Sequence, residues 1–350
     1  MELWSKVATA LHLKKMDELK EVNRKRAMTR DIEDRRLVRD ADEEKVIEFR
    51  KRWIAQWSGN YGSFDDITIL DPMRFSYDPP SPGARPCNTL QVFSVKVGAI
   101  RGDLQWPLDV FGMVAVRDTV DRNRNLIFYR TRDNCQTLTE KDHCLVLSGP
   151  SRAVVVSNPV LDPVIIEAEL KVKGIKESKD KVLSLLAVPL TFSDDKSVSS
   201  CQHIIYSVFT SKLSSLLFTF GGIALSVEAT IFIRVLDGSW PNGFHGQFAA
   251  HTFSIDLEKV ILLDFGDGDV PVNGDGIMKL SRHVVSVELN GELKVSFKAC
   301  QDDGKVVGGG GAMFKPAKAG RSYRNIRFVS CTVEVLVAWS LISPEAEPDY

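Results

Sequence analysis

The sequence has no apolar run long enough to cross a membrane as a helix, which requires about 18 residues. The longest candidate, Leu216–Leu225, is interrupted by a threonine and two glycines. We also expect no secretory leader, because an acidic residue, Glu2, follows the first methionine and the apolar stretch Val7–Leu13 is short and broken. We therefore expect a protein that is neither secreted nor membrane-spanning and that resides in the cytoplasm or the nucleus.

Cysteine is scarce, and neither sign of charge dominates. The six cysteines are scattered without paired spacing, which, with the missing leader, predicts reduced thiols rather than a disulfide framework. The formal net charge is -1, so the chain as a whole is not an electrostatic binder of nucleic acid or membranes. With 44% hydrophobic and 26% charged residues, the composition is that of a globular protein with a sizeable core.

Motifs that carry catalysis or metal binding are absent too. The six histidines lack metal-ligand spacing, and there is no Gly-x-Ser-x-Gly turn for a nucleophile. The run Gly308–Gly311 lacks the Gly-Lys-Ser/Thr ending of a phosphate loop and is interpreted as a mobile loop. Leu263–Gly276 resembles a calcium loop, but Pro271 stands where an oxygen ligand is needed. We expect no catalytic residue, no cofactor and no metal.

What the sequence does contain is a change in the pattern of charged and apolar residues near residue 90. Of the 39 residues from Lys14 to Arg52, 25 are charged, 14 basic and 11 acidic, with apolar residues loosely at helical spacing. This predicts a helical, charge-rich N-terminal arm over residues 1–57, either solvated or docked by its Trp53 and Trp57 end. Residues 58–88 are rich in proline and glycine and are interpreted as a linker.

Alternating apolar and polar residues dominate residues 89–342, in runs broken by glycine, proline, asparagine and aspartate. This pattern predicts a mainly β protein with an antiparallel β-sandwich-type domain. The sequence does not decide whether this domain has one lobe or two, since Lys173–Lys181 is either a lobe boundary or a surface loop. Residues 343–350 form a short acidic tail.

Three strand patterns are specific enough to test. Val285–Glu288 and Leu293–Ala299 predict a hairpin with a three-residue loop that pairs Val287 with Leu293, with Gly291 in the left-handed conformation. Ile223–Val235 and Arg327–Leu341 each alternate without a break, which predicts two unusually long, twisted strands.

An arginine-rich stretch is the candidate binding site. A phosphate or nucleic-acid contact is one interpretation, because arginine binds phosphate with two parallel hydrogen bonds and stacks on bases. The alternative is a set of ion pairs with the interleaved Asp118, Asp121 and Asp133, which would weaken any phosphate-attracting field. The stretch comprises Arg117, Arg122, Arg124, Arg130 and Arg132.

Six segments, in unbroken order, resemble one known family, the grass-specific family of domain of unknown function 6598. The resemblance covers roughly Phe75–Ile342. The segments are TLQVFSVKV (Thr89–Val97), WPLDVFGMVAVRDTVDRNRNLIFYRTRDNCQTL (Trp106–Leu138), LVLSGPSRAVVV (Leu145–Val156), VEATIFIRVLDGSWPNGF (Val227–Phe244), LSRHVVSVELNGELKVSFKA (Leu280–Ala299) and CTVEVLVAWSLI (Cys331–Ile342).

The resemblance implies a setting rather than an activity. Some members resemble fusions to a ribosome-inactivating rRNA N-glycosidase or are named after jasmonate-induced proteins, which implies plant stress or defence. The glycosidase site needs a Glu and an Arg three apart beside paired tyrosines. Glu21 and Arg24 have that spacing, but no tyrosine precedes them, so N-glycosidase activity is not carried over.

Three hypotheses follow. The first is a non-enzymatic interaction module linked to stress or defence, with the arm contacting a protein partner. The second is a binder of nucleic acid or another anionic ligand through Arg117–Arg132. The third is an enzyme on a β-sandwich scaffold, whose Ser-His-Asp triad would assemble in space and leave no motif. No membrane partner is expected, and the oligomeric state is left open.

Overall fold

The structure of the protein is a computed structural model that describes residues 41–77, 83–190, 203–240, 244–266, 271–301, 305–328 and 331–343. The predicted mainly β, antiparallel, sandwich-type architecture is confirmed. An α-helix, α1, covers residues 41–61. The earlier part of the predicted arm, residues 1–40, lies outside the described residues.

The strands run from the end of the proline-rich segment to the C-terminal part of the chain, with two short 3-10 turns at Arg132–Asn134 and Glu177–Lys179. Their bounds are β1 Cys87–Ile100, β2 Leu108–Arg117, β3 Asn125–Arg130, β4 Gln136–Leu138, β5 Val154–Val155, β6 Ile165–Val172, β7 Lys181–Pro189, β8 His203–Thr210, β9 Ser214–Asp237, β10 His245–Thr252, β11 Ile255–Phe265, β12 Val284–Glu288, β13 Leu293–Cys300, β14 Val306–Phe314, β15 Ala319–Phe328 and β16 Cys331–Ser340.

These strands form three sheets. A seven-stranded sheet has the order β15-β16-β9-β1-β5, with β8 and β12 also paired to β9. A four-stranded sheet has the order β11-β10-β13-β14, and a five-stranded sheet the order β3-β2-β6-β7 with β4 on β2. The segment Lys173–Lys181 joins β6 to β7 within one sheet, so it is a surface connection and not a lobe boundary.

Strand β9 holds the three sheets together, because its two faces serve two different cores. Leu216, Phe218 and Phe220 pack against the five-stranded sheet in one buried cluster. Further along, residues Ile223–Ile233 supply every second side chain, except Leu225, to a second cluster against the four-stranded sheet. Since successive side chains of a strand point to opposite faces, the two cores lie on opposite sides of the shared sheet.

The predicted hairpin around Gly291 is wrong. Strand β12 pairs with β9 in the seven-stranded sheet, whereas β13 pairs with β10 and β14 in the four-stranded sheet. Val287 and Leu293 therefore reach the same core from opposite layers, and Gly291 is not left-handed. The alternating pattern of both strands satisfies a sandwich as well as a hairpin, because alternation specifies the buried face and not the partner strand.

The predicted long strand Arg327–Leu341 is also wrong, because it is divided between two strands. β15 ends at Phe328 and β16 begins at Cys331, and these two residues are paired in the antiparallel register of the two strands. Residues 329–330 lie outside the described part. The predicted strand Ile223–Val235 lies within β9, but Leu225 leaves the buried face: its φ is 46° and its side chain is 64% exposed.

The glycine run Gly308–Gly311 is part of strand β14, so its interpretation as a mobile loop is wrong. A Cβ atom on Gly308 would lie 2.3 Å from the ring of Phe328, and one on Gly310 would lie 2.9 Å from the ring of Phe297. The run lacks side chains because aromatic rings of neighbouring strands pack directly against its backbone.

The left-handed Leu225 provides a stability test. Leu225→Gly is expected to raise the free energy of unfolding by up to about 1 kcal/mol, because left-handed backbone costs a residue with a Cβ atom roughly 1–2 kcal/mol while the added chain entropy of glycine offsets part of the gain. Urea denaturation measures it. The matched control is Leu236→Gly, also exposed in β9 at 43%, which should destabilise. Equal destabilisation by both variants would contradict the assignment of strain at Leu225.

Candidate functional site

Helix α1 is docked on the β domain by its aromatic side chains. Trp53 is 3% exposed, and its indole N–H donates to the carbonyl oxygen of Arg122 at 3.0 Å. Phe49 and Trp53 both place their rings edge-on to Phe64, at centroid distances of 5.7 and 5.6 Å. Phe64 lies in the segment predicted as a linker, so that part of the segment is packed between the helix and the five-stranded sheet.

Arg117 stands at the centre of this junction. Its Nε donates to Glu167 at 2.8 Å, and its Nη2 donates to the carbonyl oxygen of Phe64 at 2.7 Å. The guanidinium also lies 4.3 Å from the Phe64 ring centroid and 5.3 Å from that of Trp53. Burial lowers the pKa of Arg117, opposed by the nearby Glu167 carboxylate. The positive charge of Arg117 is therefore paired within the protein and is not exposed to a ligand.

Two neighbouring arginines are paired in the same way. Arg124 binds Glu167 through Nε at 3.0 Å and lies 3.1 Å from Asp65. Arg122 makes two parallel hydrogen bonds to Asp162, both at 2.6 Å, and its guanidinium covers the ring of Trp57 at 4.3 Å. We call Arg117, Arg122 and Arg124 the arginine cluster.

The remaining two arginines of the stretch lie apart from this cluster. Arg132 binds Asp180 through Nε at 3.0 Å, and this hydrogen bond lowers the pKa of Asp180. Arg130, on β3, is half-buried and forms no ion pair with any residue that the structure describes. Ion pairing thus occupies four of the five arginines, but their partners come from distant segments rather than from the interleaved aspartates.

Two of those aspartates, Asp118 and Asp121, bind a different arginine, Arg152, which the sequence analysis did not identify. Its guanidinium makes two hydrogen bonds to Asp118, at 2.7 and 2.9 Å, and one to Asp121 at 2.8 Å. Burial opposes the charge of Arg152, but the two carboxylates outweigh this and raise its pKa. The only hint of this buried ion pair in the sequence is a single arginine directly before the apolar run Ala153–Val156.

Glu228 is a second buried charge in an apolar stretch. Its carboxylate accepts the backbone N–H groups of Ala153 at 2.7 Å and Met73 at 2.8 Å. Burial raises the pKa of Glu228, while these hydrogen bonds and the charge of Arg152 lower it. The carboxylate therefore connects the linker segment to the shared sheet.

Arg282 is fully buried without a carboxylate among its described partners. It donates to the carbonyl oxygens of Val92 at 2.6 Å and Phe93 at 3.4 Å. Burial alone lowers its pKa to about 9. Its contacts are with the backbone of β1, so we assign it a structural role between the shared sheet and the residues that precede β12.

A groove of about 800 Å³ runs beside helix α1. We call it the helix groove; its rim includes the turn at residues 158–162, which exposes two apolar side chains, Val160 at 81% and Leu161 at 83%. Its lining contains two tryptophans and two prolines but no histidine, serine or cysteine among the described residues. The lining residues are Phe49, Arg52, Trp53, Gln56, Trp57, Arg117, Asp118, Arg122, Leu161, Asp162, Pro163, Ile165, Ala187 and Pro189.

Metal sites and membrane-spanning helices are absent from the described residues. Within the ranges that the structure covers, no three His, Cys, Asp or Glu side chains come together as a metal site. Among the same residues, no helix has the length and apolar character that a membrane span requires.

The family assignment follows from the sequence of the β domain. A family model described as "Domain of unknown function (DUF6598)" matches residues 89–337, which include most of the shared sheet and of both cores. The chain belongs to the DUF6598 family. No curated protein matches the sequence.

Solved structures show only weak similarity to this DUF6598 protein. A two-domain C2 fragment of Extended-Synaptotagmin 2 aligns with 79% of this chain and 99% of its own, at 7% identity and a TM-score of 0.24. "Human GIVD cytosolic phospholipase A2" aligns with 76% of this chain and 33% of its own, at 7% identity and a TM-score of 0.24. These values support no inference about fold, ligand or activity.

The arginine cluster makes a direct prediction. Glu167→Gln should lower the free energy of unfolding by about 3–5 kcal/mol, because it leaves the buried charge of Arg117 without its counter-ion and weakens the pairing of Arg124. Chemical denaturation followed by tryptophan fluorescence measures the loss. Glu169→Gln is the matched control on the same strand, since Glu169 pairs with Lys171 in a surface contact at 3.2 Å. It should change stability by less than about 1 kcal/mol. Similar effects of the two variants would contradict the central role of Glu167.

Proposed function

We propose that this DUF6598 protein is a non-enzymatic protein-interaction module that acts in plant stress or defence. In this proposal the helix groove binds an extended segment of a partner protein, with Leu161 as the principal contact. The observation that carries the proposal is the pair of exposed apolar side chains, Val160 and Leu161, on a turn that is rigidly held at the groove rim.

The turn is held by hydrogen bonds at both of its ends. The side-chain oxygen of Asn158 accepts the backbone N–H groups of Val160 at 3.1 Å and Leu161 at 2.9 Å. Asp162 closes the turn through its own backbone and is bound by both terminal nitrogens of Arg122. An apolar side chain on a pre-ordered turn loses little conformational entropy on binding, which favours affinity.

The composition of the groove also fits a protein partner. Tryptophan and arginine are the residues that most often dominate binding energy at protein interfaces, and Trp57 is stacked with Arg122 at the groove wall. The two carboxylates among its described lining residues, Asp118 and Asp162, are each bound by an arginine, which supports a binding role over a catalytic one.

The anionic-ligand alternative through Arg117–Arg132 has less support. A phosphate at Arg117, Arg122 or Arg124 would have to displace carboxylates that are hydrogen-bonded within a packed junction. Arg130 is the member of the stretch on which this second candidate depends. Loss of nucleic-acid binding in Arg130→Glu would support this candidate.

Peptide selection tests the interaction module directly. A displayed library of random peptides is selected on the full chain, and enriched peptides are titrated in solution. We expect peptides with an apolar anchor residue, whose affinity falls at least about ten-fold in Leu161→Asp because a charge replaces the central apolar contact.

The control for this experiment is Ile175→Asp. Ile175 is 99% exposed in a different loop, between β6 and β7, so the substitution adds the same charge away from the groove. Binding should be retained in this variant. Failure to enrich any peptide, or equal loss in Leu161→Asp and Ile175→Asp, would refute the proposed function.

A further inference from the structure

The outer face of strands β9, β16 and β15 is built as a platform of side chains in register. Tyr323 pairs with Leu336, which pairs with Phe232, and these three form a row across the strands. The adjacent row toward the far end of the sheet consists of Asn325, Glu334 and Arg234. We call this surface the β15 face. It lies on the seven-stranded sheet and shares no residue with the helix groove.

The aromatic side chains of this face are accessible. Tyr323 is 46% exposed and Phe232 is 36% exposed. They line a groove of about 400 Å³, whose lining also includes Met73, Ile277 and Arg321. Binding clefts for small ligands have volumes of roughly 300–1,000 Å³, so a planar ring system fits this space.

Two arginines of β15 supply basic charge to this face. Every third residue from Lys315 to Arg327 is basic, and no acidic residue occurs within Lys315–Phe328. Because side chains alternate along a strand, Arg321 and Arg327 lie on the same face as Tyr323. Neither forms an ion pair with a described residue, in contrast to the arginine cluster. Of the other basic residues in the pattern, Lys315 and Lys318 precede β15, and Arg324 alternates to the opposite side of the strand.

Two acidic residues offset part of the basic charge of this face. Glu334 is paired with Arg234 at 3.0 Å. Asp237, on β9, lies in the same row as Arg327, with Thr332 between them. The face therefore combines exposed aromatic rings with Arg321 and Arg327, which form no ion pair with a described residue and give it an excess of one positive charge.

We propose that the β15 face binds single-stranded nucleic acid. Exposed aromatic rings on a sheet are stacking surfaces for unpaired bases, and flanking arginines bind the phosphates between those bases. A duplex keeps its bases stacked on each other and cannot place unpaired bases on these rings. A membrane surface is a poorer fit, because the rings line a groove instead of projecting beyond it.

The test uses the full chain and a fluorescently labelled oligouridylate or oligodeoxythymidylate of about 12 nucleotides, a typical site length. Fluorescence anisotropy gives the affinity between about 50 and 200 mM salt. We expect Tyr323→Ala to weaken binding roughly ten-fold and Tyr323→Phe to preserve it, since phenylalanine retains the ring. The double variant Arg321→Glu with Arg327→Glu should nearly abolish binding and reduce its salt dependence.

The chain offers matched controls on another sheet. Tyr129 is 54% exposed on β3 and is followed by Arg130, so Tyr129→Ala and Arg130→Glu remove the same side-chain types from a different surface. Both should bind as the unmodified chain does. Equal loss in these variants would instead favour the Arg117–Arg132 stretch and overturn the assignment to β15.

Three further results would overturn the proposal. They are absence of binding at the lower salt concentration, equal affinity for a duplex of the same sequence, and retained affinity in folded Tyr323→Ala. Circular dichroism of each variant establishes that it is folded. Because peptide binding at the helix groove is measured with other ligands and other variants, failure of one proposal leaves the other standing.

Discussion

The pairing of strand β9 is the constraint on which the rest of the structure depends. Its first half pairs with β1 and β8, and its second half pairs with β12 and β16. One continuous strand thereby joins two sandwich cores on opposite faces of a single sheet. The buried side chains change face near Gly221, where a Cβ atom would lie 2.5 Å from Ile255 and 2.7 Å from Phe93. Loss of this strand would separate both cores from their shared layer.

Buried charge is the second element of the architecture. Arg117, Arg152 and Glu228 lie in the interior and are satisfied by residues that are far away in sequence. Removing one partner of such a pair leaves an uncompensated buried charge, which is why these contacts fix the helix and the linker segment firmly to the sheets. The same pairing occupies most of the arginine-rich stretch, whereas Arg321 and Arg327 on β15 form no ion pair with a described residue.

The two proposed surfaces differ in position and in chemistry. The helix groove lies between α1 and the five-stranded sheet, and its exposed feature is apolar. The β15 face belongs to the seven-stranded sheet, and its features are aromatic rings and guanidinium groups. A chain with both would connect a protein partner to a nucleic acid, a role that requires no catalytic residue.

The sequence by itself determined the mainly β class, most strand positions and the buried face of strands such as β12 and β13, because alternation is a local property of two-residue period. It did not determine that β12 and β13 belong to different sheets, that Arg117 pairs with Glu167, or that Asp118 pairs with Arg152. The basic residues of β15 were visible in the sequence. That two of them flank a row of Tyr323, Leu336 and Phe232 became apparent only in the structure. Tertiary structure decided these points, because strand pairing and ion pairing join residues that are distant along the chain, and the local pattern is the same for every possible partner.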